Sequence, residues 1–299
     1  MIKSFFTIKR FWALTFTSLA FLFCFANVGF YKVSAFCMPF YNLCPKPIVL
    51  RSKFSTCFAS SSEERKHNIS LAVRSLDKTF IDVGGEFSFN KVVGARTIAR
   101  GYKTSKVIVD GNFVDGVGGG VCQVSTTLYN AVLLAGLKIT EYHPHSLPVS
   151  YVEPSFDAMV SYDWSDLRFI NNTKNPVIIH AFLVQNNLNI EIYGEKSEFC
   201  YARESVVIEK IPEPDYIFDF DLLNQYPDLY EGQQKIVRYG KPGLKSNGYI
   251  LTYKNGKLVG KKLVRKDSYS AIQGLVVIGK APYPNDNLQR NNEITSQDL

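Results

Sequence analysis

The sequence predicts an α+β protein. A mainly antiparallel sheet domain is built around one central helix beginning at Cys122. A small all-β domain follows it, and a transmembrane helix stands at the amino end. Three observations predict this. An uncharged run of twenty-one residues, Phe11 to Tyr31, opens the chain. Only the stretch from Cys122 carries a sustained helical apolar period, with Val124, Leu128, Val132 and Ala135. Most other apolar segments alternate or meet at hairpin turns, and glycines 232, 240, 243, 248, 256, 260, 274 and 279 punctuate the last third.

Residues 1–35 are expected to be a cytoplasmic tip and a transmembrane anchor or signal peptide. Lys3, Lys9 and Arg10 precede the uncharged run, and a helix of that length rises about 31 Å, enough to cross a bilayer. Positive charge ahead of it keeps the amino end inside. A cleavable signal peptide is the alternative, with Val33 and Ala35 suited to a peptidase, although such apolar regions run to about 7–15 residues. Under either reading the body from residue 36 lies outside the membrane. Formal net charge is +7, and Lys3, Lys9 and Arg10 supply three of those charges. The remainder is only mildly basic, which argues against nucleic acid and allows weak attraction to an acidic wall. Of six cysteines, Cys24 lies in the apolar run. Cys37, Cys44, Cys57, Cys122 and Cys200 would be exported, an odd number that leaves one free or paired between chains.

Residues 36–52, with "CMPFYNLCPKP", form a connector. Residues 53–196 form the first domain. "EFSFN" reads as a strand, and "KVIVDGNFVDG" as two strands about Asp110-Gly111. Gly116 to Gly120 make a loop, the helix follows, and Gly136 stops it. "DAMVSY", "LRFI", "PVIIHAFLV" and "LNIEIYG" read as strands, the last two joined at Asn186-Asn187. Residues 202–281 are a second, all-β domain with strands "QQKIVRYG", "GYILTYKNGKLVG" and "LVVIGK" and a strong Asn255-Gly256 turn. Residues 282–299 are a polar tail. A boundary falls near 197–204, so a fragment ending near Lys196 is expected to fold alone.

The stretch "GGGVCQVSTTLY", 118–129, carries the chemistry. A thiol at a helix start meets unpaired N–H groups and the positive dipole end, which favour a thiolate. Cys122 is the candidate nucleophile. The helix carries the chain about 22 Å away, and eight extended residues return about 26 Å to His145, whereas six to His143 return about 20 Å. His145 is therefore the candidate base. Asp157, Asp163 or Asp166 would orient its ring, with Asp157 preferred, and Gln123 would stabilise an oxyanion. Gly118, Gly119, Gly120, Ser125 and Thr126 would bind an anion or substrate. Plainer readings stand beside these: Cys122 as a buried thiol or half of a disulfide, His145 as a turn cap, the glycines as a corner. "HPH" without Cys-x-x-Cys is a poor ligand set, so no metal and no cofactor is expected.

At these residues the chain resembles the VanW family. The landmarks are Arg65 with "NIS" at 68, "GGEFSFN" at 84–90, "VGARTIARGY" at 93–102, "GGGVCQVSTTLYNAVLLAGL" at 118–137, "HSLPVSY" at 145–151, "FDAMVSY" at 156–162 and "DLRFINNT" at 166–173. Val83 stands where the family usually has proline, and Ser155-Phe156 where it usually has a glycine-containing turn. The resemblance implies an exported or membrane-anchored bacterial envelope protein and no particular reaction. Residues 231–243, 249–264 and 275–280 resemble the five-glycine wall-associated domain, similar to modules proposed to bind N-acetylglucosamine polymers. Tyr239, Tyr249 and Tyr253 would then stack on sugars, or simply pack a thin β domain.

Two functions follow as expectations. One is an enzyme acting on peptidoglycan, a cysteine amidase, peptidase or transpeptidase. The other is a non-catalytic wall-binding or scaffold protein. Protease added to intact protoplasts is expected to digest the part from residue 36 onward. Complete protection, persisting after mild unfolding from outside, would place that part inside.

Overall fold

The computed structural model describes residues 47–109, 112–221 and 225–283. The run at 11–31, most of the connector, the Asp110-Gly111 turn and nearly all of the tail lie outside them. Among the described residues no helix is long and apolar enough to cross a membrane.

In chain order the elements are β1 (Ile48–Cys57), α1 (Glu63–Leu76), β2 (Thr79–Ile81), β3 (Glu86–Ser88), α2 (Phe89–Val93), β4 (Thr104–Val109) and β5 (Asn112–Val117). Then come α3 (Val121–Leu134), β6 (Lys138–Glu141), β7 (Arg168–Ile170), β8 (Val177–Val184), β9 (Asn187–Glu195) and β10 (Phe199–Ile211). The last are β11 (Ile217–Phe220), β12 (Gln234–Arg238), β13 (Gly243–Lys254), β14 (Lys257–Tyr269) and β15 (Leu275–Ile278).

α3 is the centre. Its side chains are buried on every face except at Cys122 and Leu134, the mark of a core helix rather than a surface one. Its chain reverses through Gly136, whose φ of 72° suits glycine. The sheet β1-β9-β8-β2, antiparallel throughout, lies against it. β1 is tied to α3 by polar side chains. Ser52 Oγ donates to the Ala131 carbonyl at 2.6 Å, and Thr56 and Thr127 hydroxyls meet at 2.8 Å. A second antiparallel sheet, β3-β7-β6, and the β4-β5 hairpin complete this half. Further on, β10-β13-β14 form a long antiparallel sheet. β11-β15-β12 form a small one with a parallel β11-β15 pair.

The mainly antiparallel architecture agrees with the sequence reading, as does the separate all-β carboxyl region. Three differences stand out. α3 is not alone: α1 and α2 are also helices. α1 hides behind a charged start, "EERKH", yet Ser62 caps it by accepting from the Arg65 N–H, and Ile69, Ala72, Val73 and Leu76 are buried at helical spacing. In "EFSFN" the strand stops at Ser88, whose hydroxyl caps α2 through the Lys91 N–H at 3.1 Å. "DAMVSY" is not a strand. It has no ladder partner through residue 160 and is held by α3 side chains, the Ser125 hydroxyl donating to the Ala158 carbonyl at 2.6 Å.

Asn68 of α1 locks the loop that precedes α3. Its amide donates to the carbonyls of Lys103 and Gly119 at 2.9 and 3.0 Å, and its oxygen accepts from the Lys103 N–H at 2.8 Å. Asn68→Ala strands buried backbone groups and is expected to cost about 1–3 kcal/mol, read by urea denaturation. A change below the error of the fit would show that the loop does not depend on it.

Candidate functional site

The glycine loop exists because three other pieces crowd it. Gly118 and Gly120 have φ of 88° and 105°, which side chains rarely adopt. A Cβ on Gly118 would lie 2.8 Å from Arg96 Cβ, and one on Gly120 2.9 Å from Arg65 Cγ. On Gly119 it would lie 2.6 Å from the Lys106 carbonyl oxygen. The glycines therefore let two arginine stems and strand β4 close around the start of α3.

Cys122 occupies the first turn of α3, half-buried and in no disulfide. Its Sγ lies 3.5 Å from the Val160 carbonyl and interacts with the His145 ring. The Val121 and Gln123 N–H groups bond back to Gly118 and Gly120, while no acceptor among the described residues takes the Cys122 N–H. His145 is only 5% exposed. Its Nδ1 meets Asp157 Oδ2 at 2.7 Å, and its backbone N–H donates to the same oxygen at 2.6 Å. With Nδ1 engaged, Nε2 is the nitrogen left for the thiol.

Asp157 is 1% exposed and is satisfied from a second direction. Tyr269 Oη donates to Oδ1 at 2.6 Å. Arg265 Nη2 lies 3.4 Å from Oδ1, and Nη1 donates to the Asp157 carbonyl. Arg265 Nε also lies 2.9 Å from Asp267 Oδ2, an ion pair bent too far for a hydrogen bond. The guanidinium sits over the Tyr142 ring, 4.6 Å from its centroid.

These contacts set the charges. Burial pushes the Cys122 thiol up, but the His145 hydrogen bond and charge, the Val160 contact and Arg96 outweigh it, and the net shift is down. Burial pulls His145 down, yet the hydrogen bonds to Asp157 and Cys122 raise it to about 9. Burial raises Asp157, and His145, Arg265 and Tyr269 lower it further than burial lifts it. The three groups favour a thiolate–imidazolium pair oriented by a carboxylate.

A cleft of about 790 Å³ opens at the thiol, lined by Gly118, Gly119, Gly120, Cys122, His145 and other residues. Cys122, His145 and Asp157 thus stand together, and the three glycines face the cleft. Gln123 reaches the cleft wall, but its amide nitrogen donates to Thr56 Oγ1 and the Cys57 carbonyl at 3.0 and 2.9 Å. That leaves the side chain no N–H for an oxyanion. Ser125 and Thr126 lie behind the cleft, fully buried. Their hydroxyls meet the backbone of Ala158, Thr126 Oγ1 accepting its N–H at 2.9 Å, so they brace the segment that presents Val160 rather than contact a substrate. Asp166 caps α2 through the Asn90 N–H, and His143 meets Glu141 at 2.9 Å, both apart from the thiol's partners. Among the described residues no group of His, Cys, Asp and Glu could hold a metal.

Sequence reasoning missed the roles of Arg265 and Tyr269. Their signal was the inward face of β14, where Arg265, Asp267 and Tyr269 alternate with exposed Lys266 and Ser268. Charged residues on the buried face of a strand need partners. Arg96 and Tyr151 were also overlooked as cleft residues.

A family model described as VanW like protein matches residues 64–193, and one described as G5 domain matches 218–281. The chain carries a VanW-like domain followed by a G5 domain. A Bacillus subtilis (strain 168) protein, "Uncharacterized protein YoaR", is 44% identical over 161 residues, 54% of this chain and 51% of that one. "Vancomycin B-type resistance protein VanW" of Enterococcus faecalis (strain ATCC 700802 / V583) is 26% identical over 165 residues, 53% of this chain and 60% of that one. The chain therefore spans about half to three-fifths of the length of these relatives. Among solved structures, the G5 domain of an IgA1 protease is 23% identical, covering 28% of this chain and 92% of that one at a TM-score of 0.19. Cys122, His145 and Asp157 all lie in the VanW-like domain, whereas Arg265 and Tyr269 fall within the G5 match. Ser155, in the VanW-like domain, has φ of 66° at the position where a glycine turn was expected. Its hydroxyl meets Ser246 at 2.7 Å, a further tie between the two.

Arg265→Met leaves the Asp267 carboxylate buried without its cation and Asp157 held by His145 and Tyr269 alone, and is expected to cost about 3–5 kcal/mol in urea unfolding. His145 gives a pH signature. Its folded pKa lies above 6.5, so its contribution to stability is complete below that value and lost as pH rises through about 9. In the wild type the Cys122 thiol, whose pKa is lowered, works in the opposite sense over the same interval, so unfolding free energy is expected to fall with pH in Cys122→Ala, where the thiol is gone, and the added His145→Gln to flatten that fall.

Proposed function

We propose that this protein is a cysteine acyl-transfer enzyme of the bacterial cell envelope, an amidase, peptidase or transpeptidase acting on peptidoglycan. The observation that carries the reading is the Cys122–His145–Asp157 alignment at the mouth of a cleft. The Cys122 thiolate attacks a substrate carbonyl, and the electron pair of the C=O moves to oxygen. The unpaired Cys122 N–H at the positive helix end faces that oxyanion. As the tetrahedral centre collapses, the C–N bond breaks and His145 gives its proton to the departing amine. Water or a second amine, losing a proton to His145, then releases the thioester and restores the thiol pair. Asp157 fixes the ring so that Nδ1 stays protonated and Nε2 faces sulfur.

Envelope placement draws on the VanW-like and G5 domains together with the apolar run at residues 11–31, which would hold the body outside the membrane. The G5 domain supports association with the cell wall. Tyr239, 68% exposed, is available to stack on a sugar face, while Tyr249 and Tyr253 are half-buried. That exposure also supports the second reading, a wall-binding protein that breaks no bond.

Alkylation of Cys122, followed across pH, separates the two. The wild-type thiol is expected to react well below the pH at which free cysteine does, and His145→Ala to move its pKa upward. On purified peptidoglycan peptides, Cys122→Ser is expected to abolish turnover while leaving the fold intact. Turnover in the wild type is expected to decline above about pH 9, as His145 loses its proton. A thiol that titrates like free cysteine and ignores His145 leaves only the wall-binding reading.

A further inference from the structure

Two arginines stand at the cleft, and among the described residues neither is hydrogen-bonded to a carboxylate. Arg65, from the first turn of α1, and Arg96, from the loop after α2, both line it together with Cys122 and His145. Their positions are fixed by the glycine loop. The Arg65 stem packs against Gly120 and the Arg96 stem against Gly118, so both cations are held within a few residues of the thiol. Their hydrogen bonds go to neutral acceptors. Arg65 Nη1 donates to Ser61 Oγ at 2.6 Å, and Arg96 Nη1 donates to Asn90 Oδ1 and the Gly94 carbonyl at 2.8 and 3.0 Å. Arg96 is further placed by the Tyr162 ring, 5.9 Å away.

Several other charges nearby have partners of their own. Lys106 pairs with Asp115 at 2.9 Å, and Lys241 lies over Phe113. Asp166 accepts from Ser88 Oγ and the Asn90 N–H and pairs with Arg168 at 3.3 Å. Asp163 is the one carboxylate among the cleft residues. The Cys122 thiolate is matched by His145. Burial lowers both arginines by more than the nearby Cys122, and for Arg96 also Asp166, raise them. Arginine forks fit planar anions in bidentate geometry, and half-buried cations with no carboxylate of their own favour an incoming one. A carbonyl-attacking thiol beside such a pair fits an acyl substrate that brings its own anion.

We propose that Arg65 and Arg96 form a carboxylate subsite, so that the substrate carries a free carboxylate close to the carbonyl that Cys122 attacks. This deepens the acyl-transfer reading and rests on it. The residues would select peptides ending in a free acid over the same peptides amidated.

The test uses the full chain and two alkylating agents that differ in one charge, iodoacetate and iodoacetamide. In each, the thiolate sulfur displaces iodide from a CH₂ group. The ratio of the two rates at one pH cancels the thiolate fraction. Cys200, exposed and free in the same chain, is the internal reference, with sites resolved by peptide mass mapping. The iodoacetate-to-iodoacetamide ratio at Cys122 is expected to exceed that at Cys200 by about tenfold, the effect of a charge-assisted hydrogen bond. Arg65→Gln and Arg96→Gln should each reduce the excess, and Arg96→Lys should retain part of it. N-acetylalanine should protect Cys122 from iodoacetamide, and N-acetylalaninamide should not.

Equal ratios at Cys122 and Cys200 overturn the subsite while leaving an activated thiol in place. Protection by inorganic phosphate but not by N-acetylalanine also overturns it, because the pair then serves a phosphoryl group. A Cys122 inert to both reagents refutes the acyl-transfer reading instead. The subsite is then decided by calorimetric binding of N-acetylalanine to Cys122→Ser, where absence of binding rejects it.

Discussion

The site is organised around one buried carboxylate. Asp157 takes two hydrogen bonds from His145 on one oxygen, while Tyr269 and Arg265 approach the other. A charge so deeply enclosed is tolerable only if each lone pair is met. Meeting them requires segments far apart in sequence to close on the same point. The ring that results is held in position and in tautomer, and the thiol at the start of α3 inherits both. Without the carboxylate, His145 would be a buried imidazole favouring its neutral form, and the thiol would lose the cation that draws its proton away.

Much of this was written where sequence reasoning looks first. The glycine run and the apolar period from Val124 to Ala135 announced a helix with a thiol at its start. Chain length alone separated His145 from His143. What stayed illegible depended on partners that no local pattern reveals. Gln123, Ser125 and Thr126 sit beside the thiol in sequence, yet the helix turns them away from the side on which the thiol meets His145. Gln123 points to β1, and the two hydroxyls point to the backbone of Ala158. α1 was obscured because its exposed start is charged and its buried stripe is short. "DAMVSY" alternates like a strand but finds side chains instead of a ladder. Arg265 lies 108 residues from Asp157, and only the odd chemistry of an inward-facing arginine on β14 hinted at it.

The glycines answer more than one demand. Two adopt backbone angles that favour glycine, and all three leave room that a methyl group would fill. That room is occupied by the stems of Arg65 and Arg96 and by the backbone of β4. The loop therefore positions charge as much as it turns the chain. A substitution there would push the cations away from the thiol even if the helix survived.

The reach of β14 into the VanW-like domain bears on how such chains can be recombined. The boundaries between the two family matches fall at residues 193 and 218, so a shuffled gene would naturally be cut between them. Such a cut separates Asp157 from Arg265 and Tyr269, and Ser155 from Ser246. A foreign carboxyl module could be joined without disturbing the dyad only if its second long strand carried arginine, aspartate and tyrosine at alternate inward positions, with a small hydroxyl on the strand beside it. Exchange of either module is thus constrained by six side chains, Ser155, Asp157, Ser246, Arg265, Asp267 and Tyr269, rather than by the linker.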